Sequence, residues 1–386
     1  MDAPTQPSTD ALDWARRLVR FNTVSDQSNL ALIECVADHL RGLGITPRLT
    51  FDESRRKANL FATLGEGKPD GVILSGHTDT VPWDGQDWTF DPLGATLQDG
   101  RLYGRGSADM KSFIGLAVAQ ARAYLEADLP FALHFAFSHD EETGCHGVRH
   151  LIADLADAGI TPRLCIVGEP TGMVPATAHK GVYRWRCCVK GKAAHSSLTP
   201  QAVNAIEAGA RLVAHIADTA DRWRDHGPYQ PGFDVPYSTA AVGLMQGGVA
   251  DNIVPEDCHF HYEFRNLPGS DIDAMQRAVT GHAARLEPAM KAVHTEAGIR
   301  FEPIAAVPAF LARPDEPALR LAQRLAGSDG STLVAFGTEA GLFQRAGIST
   351  VVCGPGFIAQ AHQADEYVSL EQLAACETFL TRLRAD

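Results

Sequence analysis

The sequence predicts an α/β protein, a mainly parallel sheet with helices packed on it, interrupted by an inserted α+β domain. Short apolar runs at Val72-Ile73-Leu74, Phe131 to Phe137, Leu164 to Val167 and Thr350 to Cys353 alternate with helical stretches, as in sheets whose strands are joined by helices. Between Gly181 and Gly298 the pattern changes to apolar/polar alternation, which fits strands wet on one face. A length of 386 residues also exceeds one ordinary compact unit, so two domains are expected.

Each element has its own signal. Asp10 is placed to cap a first helix through Leu12, Leu18 and Val19. Leu30, Ile33, Val36, Leu40 and Leu43 recur at helical spacing, with Gly44 as the stop. After Asp109, the residues Phe113, Leu116, Ala117, Ala121 and Leu125 fall on one side of a helix. In the middle, Tyr183, Trp185, Cys187 and Val189 alternate with Arg184, Arg186, Cys188 and Lys190. Cys258, Phe260, Tyr262 and Phe264 alternate with His259, His261, Glu263 and Arg265 in the same way. A helix after Pro200, a Pro/Gly-rich loop from Gly227 to Gly232 and a strand near Ala240 to Met245 lie between them. Residues 1–180 and 299–386 are therefore assigned to one domain, and 181–298 to the insertion.

Composition excludes several classes. At 45% hydrophobic and 21% charged the chain is an ordinary globular mix, and no apolar run reaches the length of a membrane span. Met1 to Asp10 is polar and lacks a basic-then-apolar leader pattern. The eight cysteines include no C-x-x-C pair, so free thiols and a reducing cytoplasm are expected. A formal charge of −13 argues against nucleic acid or an anionic membrane as partner.

The chemistry gathers at strand ends. Gly76-His77-Thr78-Asp79 follows one predicted strand, Asp140-Glu141-Glu142 a second and Gly168-Glu169-Pro170 a third, while His362 lies a short loop beyond a fourth. Open α/β sheets bind ligands outside the carboxyl ends of their strands, so these groups should share one crevice. Asp109 adds a carboxylate just before a helix. Imidazoles mixed with carboxylates suit zinc or cobalt better than magnesium. So many acids in one cleft would repel each other without cations, which favours two divalent ions over one. One His-x-Asp alone would be weak, and Glu141-Glu142 alone could be a solvated turn; the coincidence carries the argument. His259 and His261 read as a wet sheet face, and Cys187-Cys188 point to opposite faces. The glycines around Arg105 lack the lysine a phosphate loop needs.

Seven stretches resemble the aminoacylase/carboxypeptidase family of di-zinc amidohydrolases: G-H-T-D-T-V-P from Gly76, G-R-G-S-A-D-M-K from Gly104, D-E-E-T-G from Asp140, G-E-P-T from Gly168, G-K-A-A-H-S-S from Gly191, G-G-V-A-D-N-I-V-P from Gly247 and the terminal A-H-Q-A-D-E-Y. They span essentially the whole chain in order. Within that family D-G-Q-D-W, C-I-V-G-E-P-T, H-K-G, F-G-T-E-A-G-L-F-Q and V-V-C-G-P-G resemble the branch that removes an acetyl group from an amino acid. A different N-acyl amino acid, such as a succinylated one, stays open, as does a metal-binding protein without catalysis.

The resemblance implies roles. Asp109 would bridge two divalent ions, zinc preferred and cobalt possible, with His77 and Glu169 completing one set and Glu142 and His362 the other. Glu141 would be the general base, and Asp79 would orient His77 through its second ring nitrogen. The Asp109–Met110 peptide would be cis. The inserted domain would be a dimerisation lid, making the protein a homodimer in which His195 and Asn252 approach the partner's site. Arg265 is the candidate for the substrate carboxylate, since a guanidinium fork matches it. Ser107, His139 and Gln363-Ala364 depart from the commoner family residues, but none replaces a presumed ligand.

Overall fold

The computed structural model describes residues 5–385, so the first four residues of the polar stretch that argued against a leader lie outside them. Its contacts divide the chain into two units: one runs up to Ala178 and returns at Phe310–Val334 and from Thr338 onward, and the other is His179–Ala309 with Ala335–Gly337.

The first unit is built on a nine-stranded sheet. Its centre is four parallel strands in the order Leu133–Ser138, Val72–His77, Leu164–Pro170, Ser349–Gly354. These are the four apolar runs read from the sequence, and nearly every residue in them is buried because helices cover both faces. Ala58–Leu64 pairs antiparallel outside Leu133–Ser138, and Arg48–Phe51 outside that, so the sheet is mainly parallel only at its centre.

The helices follow their patterns with two differences. The first, Thr9–Val19, is capped by Ser8, whose hydroxyl accepts from the Ala11 N–H; Asp10 sits inside the first turn instead. A serine one position before a threonine gave two polar starts, and the hydroxyl with the right offset took the cap. The helix Lys111–Ala119 is buried on every side from Lys111 to Val118, and Leu125, in the next short helix, is 38% exposed. That first helix lies between the sheet and the helices Thr9–Val19 and Leu370–Arg382, so a single apolar face could not describe it.

The second unit is a four-stranded antiparallel sheet in the order Thr239–Gly247, Asp257–Asn266, Gly181–Lys190, Gly298–Val307. The helices Ala205–His226 and Ile272–Val293 cover one face, packing on Cys187, Val189, Phe260, Tyr262 and Phe264, the apolar half of both alternating segments. Sequence alternation ended this domain at Gly298, whereas the strand Gly298–Val307 belongs to it. Pro303 and a register shift between Pro303 and Ala305 break the period there, which hid the strand.

All eight cysteines are free thiols. Among the described residues no helix is long and apolar enough to cross a membrane.

Candidate metal centre

His77 is the last residue of the strand Val72–His77, and its ring is buried. Its Nδ1 lies 3.0 Å from the main-chain carbonyl of Asp79. A carbonyl can only accept, so Nδ1 donates there, and Nε2 is the ring nitrogen turned toward the carboxylates. Nε2 faces Asp109 Oδ1 at 2.9 Å and Glu169 Oε1 at 3.7 Å. Asp79 thus orients His77 through its carbonyl; the carboxylate expected in that role is farther away, at 3.6 Å. The Asp79 carboxylate instead accepts the Glu141 N–H at 3.0 Å, the Glu142 N–H at 3.3 Å and the Ser25 hydroxyl at 2.7 Å. It fixes the turn that carries both glutamates.

Asp109 lies at the N-terminal end of the buried helix, before a cis Asp109–Met110 peptide. Its two oxygens divide between two histidines: Oδ1 faces His77, and Oδ2 lies 3.2 Å from His362 Nε2. His362 Nε2 is also 3.1 Å from Glu142 Oε1. Glu169 is buried near the end of the strand Leu164–Pro170. Two groups of ligand atoms lie within 4.8 Å of one another: His77, Glu141 and Glu169, and His77, Asp109 and Glu142. Glu141 is thus as close to His77 as a ligand would be. It differs from Glu142 in its partner, receiving the Cys145 thiol at 3.3 Å where Glu142 receives His362.

The electrostatics favour added positive charge. Burial, then the charges of neighbouring carboxylates, pushes Glu141 and Glu169 well above the usual carboxylate range, and Glu142 is raised for the same reasons. Hydrogen bonds to Asp109 and Glu142 push His362 up to about 10. Burial opposes protonation of His77, but Asp109 and Asp79 outweigh it and raise it as well. The site therefore gathers protons between its nitrogens and oxygens when it has no other positive charge. Histidine nitrogen and carboxylate oxygen at this spacing form a donor set in which divalent metal ions can replace protons.

His195, Asn252 and Arg265 lie in the second unit. His195 is exposed, with Nδ1 2.8 Å from Ser197 Oγ. The Asn252 carbonyl accepts from Ser196 at 3.0 Å, which makes His195 and Asn252 neighbours. Arg265 is paired with Glu263 at 3.0 Å, and Arg184 reaches the same carboxylate at 2.9 Å. His259 and His261 are half-buried on that sheet, ring centroids 6.4 Å apart.

Sequence reasoning missed several supports. Glu339 is buried, 3.2 Å from Ser75 Oγ and hydrogen-bonded to Ser138 Oγ. Ser75 and Ser138 each stand two residues before His77 and Asp140, so hydroxyls at both strand ends were the available signal. Lys57 pairs with Asp140 and donates to the Ser25 carbonyl, joining the two loops around Asp79. Glu366 is buried against Arg105 at 2.7 Å and accepts three backbone N–H groups, from Gly106, Ala108 and Asp109. Only the Glu of A-D-E-Y hinted at it.

A parallel sheet that ends in a cluster of imidazoles and carboxylates is the architecture of a metal-dependent hydrolase. The chain belongs to peptidase family M20/M25/M40, which it matches over residues 73–385. It is 36% identical over 369 residues to an acetylornithine deacetylase of Proteus mirabilis, covering 93% of this chain and 92% of that one. An acetylornithine deacetylase of Edwardsiella ictaluri is 34% identical over 363 residues, covering 93% and 91%. Among solved structures, an M20 family metallo-carboxypeptidase from Sulfolobus solfataricus superposes with a TM-score of 0.74 at 16% identity, covering 98% of this chain and 100% of that one. Human carnosine dipeptidase 1 gives 0.72 at 18% identity, covering 97% of each chain.

Proposed function

We propose that this protein hydrolyses the amide of N-acetyl-L-ornithine to L-ornithine and acetate, using two divalent ions, zinc preferred and cobalt possible. The observation that carries the substrate is identity above one third, over nearly the whole chain, to acetylornithine deacetylases. The chemistry rests on the cluster at the strand ends. Asp109 offers one oxygen to each half of the site, His77 and Glu169 belong to one half, and Glu142 and His362 to the other. When bound, the ions would polarise the acyl carbonyl and make a water acidic near neutral pH.

Glu141 is the general base. Its carboxylate takes a proton from the attacking water and returns it to the leaving amine; the side-chain hydrogen bond it receives is the weak one from the Cys145 thiol. Asp79 holds the Glu141 and Glu142 N–H groups, so base and ligand stay in register. Arg265 would hold the substrate carboxylate, exchanging its present bond to Glu263 for it. The test is a comparison of kcat/KM for N-acetyl-L-ornithine, N-succinyl-diaminopimelate and N-acetyl-L-methionine with zinc-loaded protein. Acetylornithine should lead by at least about tenfold, the factor that the net value of one hydrogen bond supplies. Faster turnover of another acyl compound keeps the reaction and discards the substrate.

We further propose a homodimer through the inserted unit. The edge strand Thr239–Gly247 reads T-A-A-V-G-L-M-Q-G, without charge or proline, and Leu244 and Met245 are both 38% exposed. The other edge, Gly298–Val307, is guarded by Arg300, Glu302 and Pro303. An unguarded edge is a template for pairing, and a second copy satisfies it symmetrically. His195 and Asn252 would then serve the partner's site, His195 stabilising the oxyanion. Glu141→Gln and His195→Ala chains, mixed under subunit exchange, should recover roughly a quarter of parental activity, since random pairing of a two-fold dimer leaves that share of sites intact. A mixture no more active than its parts rules out a shared site. The proposed setting is the cytoplasm, which suits eight free thiols.

A further inference from the structure

His362 stands apart from the other proposed ligands. It comes from a loop, its side chain is 46% exposed, and no strand or helix contains it. Something must hold it against Asp109 and Glu142.

The segment from Pro82 to Phe90 does so at two points. The Asp365 carboxylate accepts the N–H groups of Thr89 at 2.8 Å and Phe90 at 3.1 Å, which fixes the far side of the His362 loop. On the near side, Gln86 Nε2 donates to the His362 carbonyl at 3.0 Å. The other end of the same carboxamide accepts from Arg105 Nη2 at 2.6 Å and from Trp88 Nε1 at 3.2 Å. Two donors on one end fix which way the amide points, because arginine and indole can only donate. Arg105, buried, continues to Glu366, whose other oxygen clamps the backbone of Gly106, Ala108 and Asp109. A continuous chain of hydrogen bonds thus runs from the His362 main chain through Gln86, Arg105 and Glu366 to the main chain of Asp109.

We infer that Gln86 is a positioning residue that locks the His362 loop to the Asp109 loop and so sets the geometry of the Glu142/His362 half of the metal site. The inference rests on the two-metal reading above. Partners behind a metal ligand are worth roughly 10–100-fold in affinity, and the effect should fall on one ion only. His77, Glu169 and the Asp79 turn take no part in the Gln86 bonds.

Gln86→Glu is the discriminating substitution. It keeps shape, volume and the bonds from Arg105 and Trp88, but it turns an oxygen toward the His362 carbonyl where an N–H had donated. Gln86→Met removes both ends. Zinc titration of metal-free protein by calorimetry, with chelator competition, should resolve two binding steps in the parent. Both variants should weaken one step by roughly 10–100-fold, leave the other unchanged, and match the step lost in His362→Ala. If Gln86 merely supports Arg105, Gln86→Glu will bind like the parent while Gln86→Met alone loses affinity, and the inference falls. Two unchanged steps in both variants overturn it equally. A parent that takes up no metal overturns the site reading itself, and this inference with it.

Discussion

Glu141→Gln should lower kcat by roughly a thousandfold or more, with zinc content and folding at the parental level. General acid–base groups contribute about 10²–10⁴ in rate, and in the proposed mechanism one carboxylate both removes and returns the proton. Glutamine keeps the volume and can still accept from the Cys145 thiol, but it cannot shuttle a proton. Metal analysis and single-turnover hydrolysis of acetylornithine are the measurements. The close approach of Glu141 to His77 and Glu169 provides the competing outcome. If Glu141 is a ligand, the variant will lose bound zinc along with activity, and Glu169→Gln will behave the same way.

Stripped of metal, the protein should lose stability steadily as pH rises from about 4.5 to about 10, and zinc should abolish that slope. Glu141, Glu142 and Glu169 are raised above the ordinary 4.5 by burial and mutual repulsion. Their contribution is complete below 4.5 and is lost as pH climbs through the raised folded values. His77 and His362 are raised above the ordinary 6.5, His362 to about 10, so their contribution is complete below 6.5 and lost above it. Both sets mean that the folded chain binds more protons than the unfolded one, which makes stability fall with rising pH. Asp79 and Asp109 are held below the ordinary 3.8, and their contribution is lost only in acid, outside this window. Zinc at a thousandfold excess over its Kd adds about 4 kcal/mol per site. Thermal melts across that range, with and without zinc, test this; a metal-free Tm that is flat or rising would contradict it.

Most of the catalytic unit was legible because its signals are local. Four almost fully buried strands read as apolar runs, and the groups that follow each run land where parallel strands end. The supports were hidden because each joins residues distant in sequence: Glu366 with the Gly106 to Asp109 backbone, Glu339 with Ser75 and Ser138, Lys57 with Asp140. A side chain that caps someone else's backbone leaves no periodicity. The Asp79 carbonyl was missed for a related reason, since main-chain acceptors are the same in every sequence. The late boundary of the insertion was missed because a proline and a register shift erased the alternation of Gly298–Val307.

The parallel centre of the sheet has a consequence for how the chain is born. The strand Leu164–Pro170 must wait for its neighbour Ser349–Gly354, which emerges only after the whole insertion has been made. The insertion, by contrast, is nearly continuous in sequence, its sheet and both helices available within one stretch of translation. Domains fold largely as units during synthesis, so the edge proposed for pairing would exist on the nascent chain before His362 has been added. Synthesis order thus delays the complete donor set until His362 is added, and a chain that stopped before it would carry the edge proposed above for pairing without every side chain of the site.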